Sequence, residues 1–174
     1  MEIDLKSKIR EIPNWPEKGV NFKDITPLLQ DKEAFCYAID KMAEPFASAQ
    51  GKPDIIVGID ARGFILSAAM AYKLGTGLAI IRKKGKLPAK TICQEYKLEY
   101  ATNTVEMHED AIQKGQKVLL VDDVLATGGT MEATCQMVEK LGGQILGISF
   151  LIELDYLKGR EKLKNYKVDS LVHY

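Results

Sequence analysis

The stretch Val118–Thr130 reads VLLVDDVLATGGT. Its first four residues, Val118 to Val121, are apolar without alternation, which suits a strand buried on both faces of a parallel sheet. Two acids, Asp122 and Asp123, follow at the carboxyl end of that strand. Ala126-Thr127-Gly128-Gly129-Thr130 is a turn of small residues, and a helical pattern begins after it. In open α/β sheets, ligands bind beyond the carboxyl ends of the strands. A small-residue turn that opens a helix presents free backbone N–H groups, and the helix dipole adds positive potential, so the turn reads as a phosphate cradle. The neighbouring carboxylates suit hydroxyl groups or a hydrated Mg²⁺. No G-x-x-x-x-G-K-S/T string occurs, so this is not a Walker A loop, and Gly75-Thr76-Gly77 lacks the third glycine of a dinucleotide fingerprint.

Outward from this stretch, strands and helices alternate. Asp54 to Ile59, DIIVGI, is a second buried strand; it ends in Asp60, and Ala61-Arg62-Gly63-Phe64 opens a helix to Leu74 with Gly75 as its C-cap. Leu78 to Ile81 is a third strand, running into Arg82-Lys83-Lys84-Gly85-Lys86. After the central strand, a helix over Thr130 to Leu141 turns Met131, Cys135, Val138 and Leu141 inward, and Gly142-Gly143 closes it. Ile145 to Ile152 is another strand, Glu153 to Leu163 is polar, and residues 166–174 form a last edge strand. This alternation predicts an α/β fold: a mainly parallel central sheet with helices on both faces.

Two regions depart from the pattern. At the N-terminus, Leu5, Ile9 and Ile12 share one face of an amphipathic helix over residues 4–12, ended by Pro13 and Pro16. An irregular segment follows, and helical periodicity resumes over 31–49, where Pro45 either kinks the helix or splits it. Residues 87–110 lack a long apolar run and read as a flexible, hairpin-like excursion.

With 174 residues, 46% of them hydrophobic, the chain is expected to form one domain with a sizeable core. Lys plus Arg equals Asp plus Glu, 24 each, so nothing points to a nucleic acid or a membrane surface as partner. Cys36, Cys93 and Cys135 are far apart, as expected of reduced thiols in the cytoplasm. The N-terminus has no apolar signal core, and no run approaches the length of a membrane span. His108 and His173 have no partner spacing, and Trp15 reads as a packing anchor.

Charge is unevenly placed despite the balance. Asp60-Ala61-Arg62, Arg82-Lys83-Lys84-Gly85-Lys86 and Asp122-Asp123 each follow a strand, and in a parallel sheet those ends share one edge. Cations from two loops then face the cradle of a third, which lets a chain with no net charge bind a polyanion.

VLLVDDVLATGGT is very similar to the phosphoribosyl pyrophosphate motif of type I phosphoribosyltransferases. GIDARGF at 58–64, IRKKGKLP at 81–88 and LEY at 98–100 occur in the order, and near the spacing, of the adenine-using branch of that family. GVNFKDITPLL at 19–29 resembles its purine-side segment and LIELDYLKGREKL at 151–163 its tail, so the resemblance covers nearly the whole chain.

The resemblance implies a single phosphoribosyltransferase domain over 1–174. Residues 1–30 would be a base-binding hood and 85–110 a flexible catalytic loop. The implied reaction is adenine plus phosphoribosyl pyrophosphate to AMP plus pyrophosphate, with Mg²⁺, in a homodimer. Ala126, Thr127, Gly128, Gly129 and Thr130 would wrap the 5-phosphate. Asp122 and Asp123 would hold the ribose hydroxyls and favour positive charge on the ring. Arg62, Arg82, Lys83 and Lys86 would contact pyrophosphate, whose oxygens Mg²⁺ bridges without a direct protein ligand. Glu99 would manage the purine proton and Tyr100 would close over the centre. Asn21, Phe22 and Lys23 would form the adenine pocket, with Phe22 stacking on the base. Family members often carry a serine where Ala61 stands and an arginine where Lys23 stands. The rival readings are a transferase for another purine and a non-catalytic sensor of the sugar pyrophosphate that binds DNA or RNA. The latter is disfavoured by the retained Glu99 and basic loop, and by a non-basic segment ahead of Asp54.

Overall fold

The structure is a computed structural model that describes residues 2–48, 51–97 and 102–174. Its chain divides into two compact units, Met1–Lys41 and Met42–Tyr174. In the first, a 3₁₀ turn at Lys6–Lys8 leads into strand β1 (Arg10–Pro13), which pairs antiparallel with β2 (Asn21–Asp24). This corrects the helix expected over 4–12. Leu5 and Ile9 are buried, as their apolar character requires, but the backbone is extended at Ile9 (φ −103°, ψ 123°) and β1 bonds to β2. So short a window has little helical preference of its own, and a strand partner distant in sequence outweighs it. Helices α1 (Thr26–Gln30) and α2 (Lys32–Ala43) follow. Pro45 splits the second pattern: α2 stops at Ala43 and a 3₁₀ turn covers Glu44–Phe46.

The remaining elements are β3 (Ile55–Ile59), α3 (Arg62–Leu74), β4 (Gly77–Lys83), β5 (Thr91–Lys97), β6 (Thr102–His108), β7 (Lys117–Leu125), α4 (Gly129–Lys140), β8 (Gln144–Glu153) and β9 (Val168–His173). They build a seven-stranded sheet in the order β5-β6-β4-β3-β7-β8-β9. The pairs from β4 through β9 are parallel, and β6 and β5 add antiparallel strands at one edge. The chain steps from β3 to β4 in one direction and from β7 to β8 in the other. Right-handed crossovers therefore put α3 and α4 on opposite faces. Packing agrees. Val118 and Leu120 share a core cluster with Met131, Cys135 and Val138 of α4, while the equally buried Leu119 and Val121 alternate to the face α3 covers.

Residues expected to form an excursion pair as β5 and β6, and β6 is tied to β4 through Arg82↔Glu106 and Lys83↔Val105. Gly75 takes the left-handed conformation, φ +62°, and closes α3 with its N–H on Ala71 and Tyr72 carbonyls. The order reverses between β3 and β7, so the carboxyl ends of these strands border the crevice where such sheets bind ligands.

Candidate active site

The register brings the three strand ends together. Ile59 is level with Ile81 of β4, and Gly58 with Val121 of β7, so Asp60, Arg82 and Asp122 lie near one another at the carboxyl-end edge of the sheet. The Asp60 N–H bonds to the Ile81 carbonyl at 2.9 Å, which holds the first two ends together beyond the paired residues.

The turn after β7 forms a cavity of about 80 Å³, bordered by Asp122 and by every residue from Ala126 to Thr130. Gly128 is the N-cap of α4, with φ +77° and no side-chain cap. A helix start leaves its first N–H groups without intrahelical partners, and usually a Ser, Thr or Asp side chain takes one of them. Here no side-chain cap does, which leaves those donors for a ligand beside the turn, and the helix dipole favours an anion there. Glycine is required twice over at 128. Its positive φ strains any L side chain, and a Cβ would stand 2.5 Å from the Gly159 carbonyl oxygen. The relation is mutual, because a Cβ on Gly159 would meet the Ala126 oxygen at 2.2 Å. The cradle is thus propped from behind by the 3₁₀ segment Gly159–Leu163. Arg160 anchors that segment through Glu153 of β8, donating to both carboxylate oxygens and to the Val168 carbonyl.

Asp122 borders the cavity, and Asp123 follows it in the strand. Asp122 Oδ1 accepts the Asp123 backbone N–H at 2.9 Å. Burial, then the neighbouring charge of Asp123, pushes the Asp122 carboxyl well above the ordinary carboxylate value. Asp123 is also raised by burial, against the pull of Arg62, the first residue of α3, whose guanidinium forms an ion pair with it. The buried Asp123 Oδ2 accepts no hydrogen bond among the described residues beyond that ion contact. Gly63 permits the arrangement, since a Cβ there would meet Asp122 Oδ1 at 2.6 Å.

The basic run after β4 folds as a tight turn with Gly85 at φ +83°. Arg82 bonds to Asp60 Oδ2 at 2.9 Å and donates to the Lys86 carbonyl at 3.2 Å. Lys83 and Lys86 are exposed and have no ion-pair partner among the described residues.

A phosphoribosyl transferase domain family matches residues 28–172. The chain is 57% identical over 172 residues to an adenine phosphoribosyltransferase of Acetivibrio thermocellus, covering 99% of this chain and 100% of that one. The crystal structure of adenine phosphoribosyltransferase from Thermoanaerobacter pseudethanolicus superposes with TM-score 0.94 at 50% identity, covering 98% of each chain. That from Saccharomyces cerevisiae, complexed with an imino-altritol bisphosphate and adenine, gives TM-score 0.88 at 38% identity, over 95% of this chain and 94% of the other.

The chain belongs to the phosphoribosyl transferase family.

Within this phosphoribosyl transferase, other expected site residues have distinct settings. In the first unit, Asn21 and Lys23 both donate to Glu11 Oε2 of the paired strand, and Lys23 is buried. Trp15 is half-exposed and packs edge-on against Phe22, with centroids 4.4 Å apart, so it is no buried anchor but half of an aromatic pair. Glu99 and Tyr100 lie outside the described residues. The histidines have structural partners: His108 Nε2 meets the Pro88 carbonyl at 2.6 Å and His173 Nδ1 meets Asp155 at 3.0 Å. Glu153, Asp155 and His173 cluster closely enough to suggest metal ligands, but Glu153 is already engaged by Arg160 and Ser170. Glu11, Glu106 and Gly159 were not foreseen. Only Glu106 left a trace in the sequence, as an acid set between buried Val105 and Met107.

Proposed function

We infer that this phosphoribosyl transferase moves the 5-phosphoribosyl group from phosphoribosyl pyrophosphate to adenine, releasing AMP and pyrophosphate in purine salvage. The observation that carries this reading is the uncapped start of α4, set beside the half-buried Asp122 and the buried Asp123, in a chain 57% identical end to end to an adenine phosphoribosyltransferase.

Backbone N–H groups of the Ala126–Thr130 turn bind the 5-phosphate, with Thr127 and Thr130 hydroxyls adding donors. Asp122 and Asp123 take the ribose hydroxyls. Breaking the anomeric C–O bond makes an oxocarbenium-like transition state, and carboxylates beside the ring stabilise that charge. It also lowers the cost of ionising two acids that burial otherwise opposes. Lys83, Lys86 and Arg62 face the leaving pyrophosphate, and Arg82 supports them from its bonds to Asp60 and Lys86.

The site suits Mg²⁺. Its acids are hard oxygen donors, and Asp123 Oδ2 has capacity to spare. When bound, Mg²⁺ neutralises the departing pyrophosphate; the substrate's oxygens would ligate it, with Asp122 and Asp123 reaching its waters.

Glu99 takes the proton that adenine sheds on bonding to the sugar carbon, and Tyr100 closes over the centre to exclude water. Asn21, Phe22 and Lys23 contribute the adenine pocket, with Phe22 stacking on the base. Backbone groups of the 19–25 segment read the purine edge: a carbonyl meets the exocyclic amine and an N–H meets N1. An oxopurine reverses both partners, and a buried hydrogen-bonded site discriminates against such a reversal by about 10⁴-fold.

The enzyme works as a homodimer. On α3, Ile65 and the 92%-exposed Tyr72 lie two turns apart, and Leu78 of β4 is also exposed, an apolar set that a second copy would cover. Three free cysteines fit a reducing cytoplasm. Among the described residues, no helix is long and apolar enough to cross a membrane.

Steady-state assays with adenine, hypoxanthine, guanine and orotate test the reading. AMP and pyrophosphate are expected in equal amounts from adenine, with the other bases near background. Comparable kcat/KM for adenine and hypoxanthine would assign the site to another purine.

A further inference from the structure

Glu106 lies on β6 with only 3% of its surface exposed, yet it faces no side-chain cation among the described hydrogen bonds and ion pairs. Its partners are backbone donors. Oε1 accepts the N–H groups of Lys86 and Leu87, both at 2.7 Å, and the Thr91 hydroxyl lies 3.5 Å from Oε2. Burial pushes the carboxyl up, but the N–H groups of Leu87, Gly85 and Lys86 outweigh burial and hold it below its ordinary value. It is therefore an anion buried inside the basic turn.

The turn is clasped from the other side too. The Lys86 carbonyl accepts from Arg82, which is fixed by Asp60, and the Lys84 N–H donates to the Thr104 carbonyl of β6. The backbone of the turn is thus committed to β4 and β6, and its N–H groups are not offered to a ligand. The ammonium groups of Lys83 and Lys86 are what remains for an external anion.

We propose that Glu106 is a positioning residue for pyrophosphate recognition, locking the Lys83–Leu87 backbone so that Lys83 and Lys86 are presented together to the leaving group. The proposal rests on the reading that this turn meets pyrophosphate. It gives the buried carboxylate a purpose beyond filling space: an apolar residue there would leave the Lys86 and Leu87 N–H groups without their acceptor and the turn without its clasp. It also links the turn to β6, the strand that follows the residues holding Glu99.

Calorimetric titrations of the full-length protein, with Mg²⁺ throughout, separate the possibilities. The ligands are pyrophosphate and AMP, of which only the first needs the turn. Glu106→Ala is expected to weaken pyrophosphate about tenfold and Glu106→Gln, which keeps one acceptor oxygen without the charge, about threefold, with AMP changed by less than about twofold. KM for phosphoribosyl pyrophosphate should rise in the same order while kcat changes less. A parallel loss of AMP binding would mean a general defect of folding and overturn the proposal, as would unchanged pyrophosphate affinity in both variants. Glu106→Gln decides alone if the alanine variant unfolds. Lys83→Ala with Lys86→Ala checks the underlying reading separately. Undiminished pyrophosphate affinity there would remove the turn from the site, and Glu106 with it, by a result that does not involve Glu106.

Discussion

The α4 cradle and the turn after β4 both suit anions, but they use the backbone in opposite ways. In the cradle the helix start carries no side-chain cap, the side chains are small, and Gly159 packs against Gly128. In the turn the N–H groups are spent on Glu106, and charge reaches outward on lysines. A backbone site is rigid and reads shape, because its donors cannot move without the chain moving. A side-chain site is adaptable and reads charge, and salt screens it. On the proposed reading, the phosphate that stays with the product would meet the rigid site and the leaving group the adaptable one.

Breaking the rigid site should have the largest effect. Gly128→Val adds a β-branched side chain at φ +77°, against the Gly159 carbonyl. We expect loss of AMP and phosphoribosyl pyrophosphate binding together, by about 10³-fold or more, and a stability loss of about 3 kcal/mol. Calorimetry and thermal unfolding read both effects. Gly159→Ala approaches the same contact from behind and should also weaken both ligands, though no ligand need touch it.

Asp122→Asn, at the border of the cradle, should cut kcat about 10²-fold with a smaller change in KM, the mark of lost transition-state stabilisation. It should also stabilise the ligand-free protein. The Asp122 carboxyl titrates above its ordinary value of 3.8, so the folded chain holds this proton to higher pH than the unfolded chain. Between the two values the folded state binds more protons, and stability falls as pH rises. The cost is fully present above the raised value, and asparagine removes it. A gain on the order of 1 kcal/mol is expected in the upper part of the pH range, shrinking as pH falls toward about 4. A destabilised Asp122→Asn at neutral pH would show that the carboxylate is well paired in the free protein.

The smallest effects belong to the adaptable site. Lys83→Ala or Lys86→Ala alone should raise KM for phosphoribosyl pyrophosphate about three- to tenfold and leave AMP binding unchanged, since exposed charges are individually weak. Equal weakening of AMP would erase the distinction between the sites.

The sequence carried the frame of this fold because β3, β7 and β8 each hold a short run of consecutive apolar residues, Ile55–Val57, Val118–Val121 and Phe150–Ile152. Such runs fit few alternatives. β1 and β2 were missed because REIP and NFKD carry no pattern of their own; each becomes a strand only by pairing with the other. The cradle was legible since glycine spacing and an apolar run are local features. The supports were not. Gly159 lies far along the chain from the loop it props, and Glu106 is identified by two N–H groups that only the folded turn brings to it. Arg82, grouped with the lysines by its place in RKKGK, proves to be tied to Asp60 and the Lys86 carbonyl.

The division between the sites is tested most directly by titrating ribose 5-phosphate and pyrophosphate separately over a range of ionic strength at constant free Mg²⁺. Pyrophosphate affinity should fall steeply with salt, and the Lys83→Ala, Lys86→Ala double variant should flatten that fall. Ribose 5-phosphate, held by backbone N–H groups, should depend weakly on salt in both proteins. Matching salt slopes for the two ligands, unaltered by the lysine substitutions, would contradict the account.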